Sequence, residues 1–234
     1  MNCKNLERFS RQTILPEIGE KGQIKISRAK IIIVGVGALG TAAAELLIRA
    51  GVQNLTLIDP DVIELSNLQR QNLFDETDLN KHKVEVAKGK LSKINQEARI
   101  VAKTVELNEK NIKEIIEKEN TDLILDCTDN MKTRFLINDY CKENSIIWIF
   151  SSVAGTKGML ATISPKGPGI QKIIPENAEG EISCTQGILN TITRIISAMQ
   201  VTLALKIITG AKVNYNELIL YDAWENKLEK LKFG

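Results

Sequence analysis

Residues 31–71 read IIIVGVGALGTAAAELLIRAGVQNLTLIDPDVIELSNLQRQ. Residues 31–34 are a short β-branched run, which is typical of a strand buried on both faces of a parallel sheet. Residues 38–50 predict a helix, and residues 55–58 predict a second strand of the same kind. The stretch is therefore predicted to form a strand–helix–strand unit of the Rossmann type.

Three glycines between the first strand and the helix have the spacing GxGxxG, at Gly35, Gly37 and Gly40. The first glycine of this pattern permits a tight turn, the second lets a phosphate approach the backbone, and the third lets helix and strand pack closely. The helix that begins at Ala38 would present its free N–H groups and positive end to that phosphate. Asp59 follows the second strand, where a carboxylate meets ribose hydroxyls. These features together predict a nucleotide site.

The composition is that of an ordinary soluble protein, with 43% hydrophobic and 26% charged residues. A net charge of +2 and an aromatic content of 4% indicate neither a nucleic-acid surface nor a membrane surface. The apolar segment 188–208 contains Arg194, Gln200 and Lys206, so it predicts a buried or interface helix rather than a membrane span. The polar N-terminus is unlike a signal peptide, and a cytoplasmic location is expected.

The second half of the chain is predicted to be more antiparallel than the first. Residues 153–163 predict an antiparallel pair that turns around Gly158, and residues 218–221 and 228–232 predict closing strands. The segment 164–187 is rich in proline and glycine and predicts a long loop. Loops of this length are usually functional or mobile.

These elements predict a single α/β domain over residues 1–234, with a Rossmann-like, mostly parallel sheet. Helices are expected on both faces of the sheet, and antiparallel strands extend it. Within the domain we expect an N-terminal helical arm at 1–30, a nucleotide-binding half at 31–150 and an antiparallel half at 151–234.

Six motifs, spread over nearly the whole chain, resemble the MoeB/ThiF/HesA group of E1-like adenylating enzymes. SNLQRQ and DCTDN at their spacing are far more specific than GxGxxG. The motifs are RFSRQTILPEIG (8–19), GVGALG (35–40), LIDPDVIELSNLQRQ (57–71), HKVEVAK (82–88), DCTDN (126–130) and LYDAW (220–224).

The resemblance implies the E1-like adenylation fold and an enzyme that uses ATP and Mg²⁺. Such an adenylyltransferase converts a carboxylate into an acyl adenylate, releases pyrophosphate and serves cofactor biosynthesis. Its nucleotide-binding residues would be Gly35, Gly37, Ala38, Gly40, Asp59, Asn67, Arg70, Gln71 and Lys83.

The resemblance also gives several of these residues individual roles. Asp59 would bind the ribose, and Arg70, Gln71 and Lys83 would contact the phosphates. Arginine suits bidentate contacts to phosphate, and lysine acts as a point charge. Asp129 would bind the Mg²⁺, which takes one or two carboxylates together with phosphates and waters. Arg70, Lys83 and Asp129 are therefore the expected catalytic residues, and Asn67 is expected to hydrogen-bond the phosphate or the reacting groups.

Each of these charged residues also has a plainer interpretation. Arg70 and Lys83 alone would be read as solvated surface charges, and only their motifs favour the site. Asp129 is either the metal ligand or the N-cap of the following helix. Asp126 is expected to be the structural member of DCTDN.

Arg11 is the fourth expected catalytic residue. It resembles the arginine that such enzymes insert into the active site of the partner subunit. The resemblance therefore implies a homodimer as the active unit.

The four cysteines, Cys3, Cys127, Cys141 and Cys184, are scattered and form no CxxC pair. Many members of the group bind a structural zinc through two such pairs, so no zinc is expected here. Cys184 lies where sulfur-transferring members carry a reactive cysteine. It is either a nucleophile that forms a persulfide or thioester, or a small apolar filler.

The resemblance leaves two kinds of carboxylate acceptor open. One is the C-terminal Gly-Gly of a ubiquitin-like sulfur carrier. The other is a small molecule, such as the guanylylpyridinol carboxylate of the [Fe]-hydrogenase cofactor, which a zinc-less branch of similar size adenylates.

Two further functions are compatible with parts of the sequence. An NAD-dependent oxidoreductase would use Asp59, but it would leave Arg70, Lys83 and Asp129 without a role. A non-catalytic E1-like scaffold subunit would typically have lost the arginine and the metal-binding aspartate, and both are present here.

Overall fold

The computed structural model describes residues 7–174 and 187–233 and contains one eight-stranded sheet, in the order β3-β2-β1-β4-β5-β6-β7-β8. The strands are β1 (Lys30–Val34), β2 (Asn54–Ile58), β3 (Arg99–Lys103), β4 (Leu123–Asp126), β5 (Ile147–Ala154), β6 (Lys157–Ile163), β7 (Glu217–Asp222) and β8 (Lys227–Lys232). The described α-helices are α1 (Ser10–Thr13), α2 (Gly19–Arg28), α3 (Ala38–Ala50), α4 (Lys83–Ile94), α5 (Ile112–Glu119), α6 (Met131–Glu143) and α7 (Asn190–Thr209).

The first five strands are parallel, and β1 lies in the middle between β2 and β4. Val34 at the end of β1 is in register with Ile58 on one side and with Asp126 on the other. The segments that follow β1, β2 and β4 therefore leave the sheet side by side at one edge. This is the edge at which parallel sheets bind their ligands.

Helices cover both faces of the sheet, as the sequence predicts. Ile31 and Ile33 of β1 belong to a core shared with α3, α4 and α7. Ile32 and Val34 point to the opposite face, where the core includes residues of α5 and α6. The alternation follows from the two-residue period of a strand, and β1 is apolar throughout because both of its faces are buried.

The antiparallel part of the sheet begins at a turn between β5 and β6. Gly155 and Thr156 lie in this turn, and Gly155 has a φ of +57°. The predicted turn around Gly158 is wrong, because Gly158 lies inside β6 opposite Val153. A Cβ at Gly158 would lie 2.2 Å from Cγ1 of Ile196 in α7, so helix packing accounts for this glycine.

Helix α7 is long and apolar because it lies against the sheet. It is the one helix in the described part of the chain that could cross a membrane by length and composition, and 39% of its most apolar window is buried inside the protein. Its buried Gln200 donates hydrogen bonds to the carbonyls of Asp126 and Ile149, each at 3.1 Å. Ser197 donates to the carbonyl of Leu39 at 2.9 Å. These contacts hold one face of α7 against the sheet and α3.

The predicted arm and loop are each described in part. Helices α1 and α2 form the arm, and its first six residues lie outside the described ranges. The loop contains a short 3₁₀-helix, Ile170–Lys172, and its residues 175–186 lie outside the described ranges. The predicted division after residue 150 falls inside β5, so the two halves share a strand.

Gly40 and Gly89 offer a matched test of packing. A Cβ at Gly40 would lie 1.9 Å from the carbonyl oxygen of Gly35, whereas one at Gly89 would meet nothing within 4 Å. We expect Gly40→Ala to lower the free energy of unfolding by about 3 kcal/mol. Gly89→Ala, in the exposed interior of α4, should raise it by about 0.5–1 kcal/mol. Urea unfolding of both variants measures the difference; equal effects would contradict the packing of α3 on β1.

Candidate active site

A cleft of about 1260 Å³ lies at the carboxyl edge of the parallel strands. It extends from the turn after β1 to the β5–β6 turn and the β7–β8 hairpin. Of the predicted site residues in the described ranges, all except Gly40 and Arg11 line it: Gly35, Gly37, Ala38, Asp59, Asn67, Arg70, Gln71, Lys83 and Asp129. Cys184 lies outside the described residues.

Each glycine of the turn after β1 meets a different structural requirement. Gly35 has a φ of +88°, and a Cβ there would lie 2.6 Å from the carbonyl oxygen of Cys127. Gly40 is fixed by the close approach of α3 to the same turn. A Cβ at Gly37 would have only Nε2 of Gln71 nearby, at 3.6 Å. Gly37 is thus the glycine with open space in front of it, beside the N-terminus of α3.

Asp59 connects two of the turns that border the cleft. Its carboxylate accepts a hydrogen bond from the backbone N–H of Val36 at 2.6 Å and another from that of Asp61 at 2.9 Å. The side chain is buried, and burial raises the pKa of Asp59 while the nearby Lys83 ammonium lowers it. Asp59 thus helps to hold the glycine turn in place, in addition to lining the cleft.

Lys83 is buried at the start of α4, and its ammonium has a partner. Nζ of Lys83 lies 2.8 Å from Oδ2 of Asp61, whose side chain is 60% exposed. The sequence did not predict this ion pair, because the two residues are separated by a long irregular segment.

The SNLQRQ motif contributes side chains of different kinds. Asn67 caps its own 3₁₀-helix, since its Oδ1 accepts from the N–H of Glu64 at 3.3 Å. Arg70 donates to the carbonyl of Ser66 at 2.8 Å. Gln71 is 4% exposed, and its Oε1 is buried without a hydrogen-bond partner. A buried polar atom without a partner is uncommon, and the residue that carries this one lies at the cleft wall.

The DCTDN motif forms the turn after β4. Oδ1 of buried Asp126 accepts from both the N–H and the hydroxyl of Thr128, at 2.9 and 2.7 Å, so Asp126 has the predicted structural role. Asn130 caps α6 by accepting from the N–H of Thr133 at 3.2 Å. The alternative that Asp129 is the N-cap is therefore wrong. Asp129 is exposed on the cleft wall.

Arg134 is a cleft residue that the sequence analysis missed. Its buried guanidinium donates to the carbonyl of Thr128, lies 3.4 Å from Oδ2 of Asp126 and stands over the ring of Phe150 at 5.2 Å. These contacts hold the turn that carries Asp129. The sequence pattern that could have identified Arg134 is an arginine in the first helical turn after the acidic DCTDN motif.

The described carboxylates at the cleft are not grouped closely enough to bind a metal ion by themselves, but they suit a metal ion that is also coordinated by a bound phosphate. Within residues 7–174 and 187–233, no group of three His, Cys, Asp or Glu side chains is arranged to hold a metal ion. Asp129 supplies one exposed carboxylate from the turn after β4. Mg²⁺ commonly takes one or two carboxylates and completes its shell with phosphates and waters. The expected absence of zinc stays a prediction.

Arg11 lies far from the cleft of its own chain. The neighbouring Gln12 donates to the carbonyl of Ala50 at 2.9 Å, which places α1 beside the C-terminal end of α3. Helix α3 has 13 residues and is about 20 Å long, and its N-terminal end borders the cleft. Arg11 itself is exposed.

The buried cysteines give a labelling prediction. Cys127 and Cys141 are both free and buried, and burial raises the pKa of each thiol above its ordinary value. Since the thiolate is the reactive form, we expect neither to react with iodoacetamide at pH 8 in the folded protein, whereas both should react in urea. Peptide mass spectrometry measures the difference. Rapid labelling of either in the native protein would contradict its burial.

Comparisons of the sequence with known proteins match nearly its whole length. The ThiF family model matches residues 9–234. The chain is 34% identical over 234 residues to the sulfur carrier protein ThiS adenylyltransferase of Escherichia coli K12, covering 99% of this chain and 92% of that protein. It is 29% identical to the SAMP-activating enzyme E1 of Haloferax volcanii, covering 100% of this chain and 87% of that protein.

A solved structure supports the fold. The crystal structure of E. coli MccB with ATP superposes with a TM-score of 0.85 at 23% identity, covering 97% of this chain and 72% of that one. The chain belongs to the ThiF family of E1-like adenylyltransferases.

Proposed function

We propose that the chain binds ATP with Mg²⁺ in this cleft and adenylates a carboxylate, releasing pyrophosphate. The observation that carries the proposal is the gathering of the Gly37 turn, Arg70, Gln71, Lys83 and Asp129 around one space. Two cations and the N–H groups at a helix N-terminus supply the positive charge and the hydrogen-bond donors that the phosphates of a nucleoside triphosphate need.

The reaction requires positioning and charge stabilisation rather than a covalent enzyme intermediate. A carboxylate oxygen of the acceptor attacks the α-phosphorus of ATP, and the bond from that phosphorus to the bridging oxygen breaks. The electron pair leaves with pyrophosphate, on which negative charge accumulates. Arg70 and Lys83 would stabilise that charge, and the N–H groups at the start of α3 would orient the phosphates.

Asp129 would hold the Mg²⁺, which neutralises phosphate charge when it is bound. Asp59 would accept hydrogen bonds from the ribose. Each of its carboxylate oxygens already accepts one backbone N–H, and each retains capacity for another hydrogen bond.

The acceptor we propose first is the C-terminal Gly-Gly of a ubiquitin-like sulfur carrier. The names of two relatives, a ThiS adenylyltransferase and a SAMP-activating enzyme, favour a protein acceptor. The cleft continues past the nucleotide side to Ala154, Gly158 and Tyr221, which leaves a trough for an extended chain end. A small-molecule carboxylate such as guanylylpyridinol is the second candidate, and either would be met in the cytoplasm.

We also propose that the active unit is a homodimer in which Arg11 enters the cleft of the partner. The exposed position of Arg11, near the far end of α3 from its own glycine turn, supports this proposal. A single chain would then lack one of the cations around the phosphates.

Two measurements test the proposed activity. Calorimetry should detect binding of ATP with Mg²⁺ and weaker or no binding of NADH, whereas preference for NADH would favour the oxidoreductase alternative. Incubation of the chain with ATP and a Gly-Gly carrier should then release pyrophosphate, and a carrier with an amidated C-terminus should release none. If the chain binds ATP tightly but releases pyrophosphate neither with the carrier nor with guanylylpyridinol, the result would favour a scaffold subunit.

A further inference from the structure

Lys83 is the one proposed phosphate ligand that already holds an ionic partner within the described part of the cleft. Its Nζ lies 2.8 Å from Oδ2 of Asp61. The Lys83 side chain is 8% exposed, and the Asp61 side chain is 60% exposed. The pair therefore has a buried cation and a solvent-facing anion.

The backbone on both sides holds these two side chains together. The N–H of Lys83 donates to the carbonyl of Asp61 at 3.0 Å, and the N–H of Ile63 donates to the carbonyl of Lys81 at 2.9 Å. Val62 and His82 form an antiparallel bridge between these bonds. The ion pair thus lies beside an isolated antiparallel bridge at the cleft wall.

Arg70 has a neutral partner instead. Its guanidinium donates to the carbonyl of Ser66, and a phosphate can approach it without displacing a carboxylate. A phosphate that approaches Lys83 must displace the carboxylate of Asp61 or share the ammonium with it. A buried ammonium without a counter-ion is unfavourable. The buried carboxylate of Asp59 also lies near Lys83, but Asp61 is the one in direct contact with the ammonium, so Asp61 shares in neutralising Lys83 while no phosphate is present.

We propose that Asp61 is a resident counter-ion, which neutralises Lys83 in the empty site and is displaced when a nucleotide phosphate binds. Asp61 then lowers the affinity of the cleft for nucleotide and eases the departure of pyrophosphate. This inference rests on the proposed function, because it requires a phosphate to reach Lys83. Asp61 thus joins the proposed nucleotide-binding residues as one that regulates the affinity of the cleft for phosphate.

The test is calorimetric binding of a non-hydrolysable ATP analogue with Mg²⁺ to the full chain. Asp61→Asn keeps the shape of the side chain. It also keeps the two hydrogen bonds of the Asp61 backbone, from its N–H to Asp59 and from the N–H of Lys83 to its carbonyl. The fold should tolerate the change because the Asp61 side chain is exposed. We expect this variant to bind the analogue about three- to fivefold more tightly, because the phosphate no longer competes with the Asp61 carboxylate for Lys83. A gain of this size is what the loss of a partly exposed ion pair would give. Asp61→Ala should give a gain of similar size.

Glu64→Gln is the matched control, since it removes the same charge from the same cleft. Glu64 contacts Ser66, with an oxygen–oxygen distance of 3.3 Å, and has no bond to Lys83. Its effect on affinity therefore reports the general charge of the cleft, together with any change in the 3₁₀-helix that begins after Glu64, and should be smaller. In a Lys83→Gln background, Asp61→Asn should lose its gain, because the ammonium for which Asp61 and the phosphate compete is absent.

Three results would overturn the proposal. These are unchanged or weaker binding in both Asp61 variants, an equal gain in Glu64→Gln, and a full gain in the Lys83→Gln background. A native chain that binds no ATP analogue would instead overturn the proposed function, and the inference with it. The two failures are distinct, because the first three results require that the native chain binds the analogue.

Discussion

Asp129→Asn is expected to lower the rate of pyrophosphate release by about a hundredfold or more and to leave the fold unchanged. The asparagine keeps the side-chain size but removes the charge that would hold Mg²⁺ beside the phosphates. The fold should tolerate the change because Asp129 is exposed and Asn130, not Asp129, caps α6. Initial rates over a range of Mg²⁺ concentrations measure the loss, and thermal melting checks the fold.

Asn130→Ala is the neighbouring control with the opposite pattern. It removes the oxygen that accepts from the N–H of Thr133, so we expect a loss of about 1 kcal/mol in the free energy of unfolding. Its turnover should stay within a few fold of the native rate. Native turnover of Asp129→Asn at every Mg²⁺ concentration would remove Asp129 from the metal site.

Arg11→Ala and Arg70→Ala are each expected to abolish most activity, and mixing the two inactive chains is expected to restore part of it. In a heterodimer one cleft lacks both arginines, and the other has its own Arg70 and the Arg11 of the other subunit. With random exchange, half of the dimers are mixed and each has one intact site. About a quarter of the native activity should therefore return.

Two controls make the mixing experiment decisive. Differently tagged chains must co-purify after mixing, which shows that subunits exchange. Arg11→Ala mixed with Arg11→Lys should not regain comparable activity, because lysine lacks the bidentate geometry of arginine. Exchange of subunits without any rescue would contradict a cleft shared between two chains.

The parts of the fold that are encoded locally could be predicted from the sequence. The β-branched run of β1, the glycine spacing and the helix at 38–50 each follow from neighbouring residues, and the structure confirms them. The antiparallel extension was also predicted, and its closing strands appear as β7 and β8. The turn before β6 was placed wrongly, because Gly158 is required by Ile196, a residue distant in sequence.

The motif residues were predicted to lie together, and the structure brings most of them to one cleft. Their partners were not predictable. The pairing of Lys83 with Asp61 and the contact of Arg134 with the turn after β4 depend on how separate segments pack. Asn67 is expected at the nucleotide. Its side chain also accepts a hydrogen bond from the N–H of Glu64 at the start of its own 3₁₀-helix, and this contact depends on a local backbone conformation that the motif alone does not predict.

The exchange of labelled pyrophosphate into ATP tests whether the chain adenylates a carboxylate. The assay contains the native chain, Mg²⁺ and a carrier that ends in Gly-Gly, with guanylylpyridinol as the alternative acceptor. Adenylation of a carboxylate predicts exchange that requires Mg²⁺ and an acceptor, and that Asp129→Asn eliminates. ATP binding without exchange in the presence of both acceptors would contradict the account.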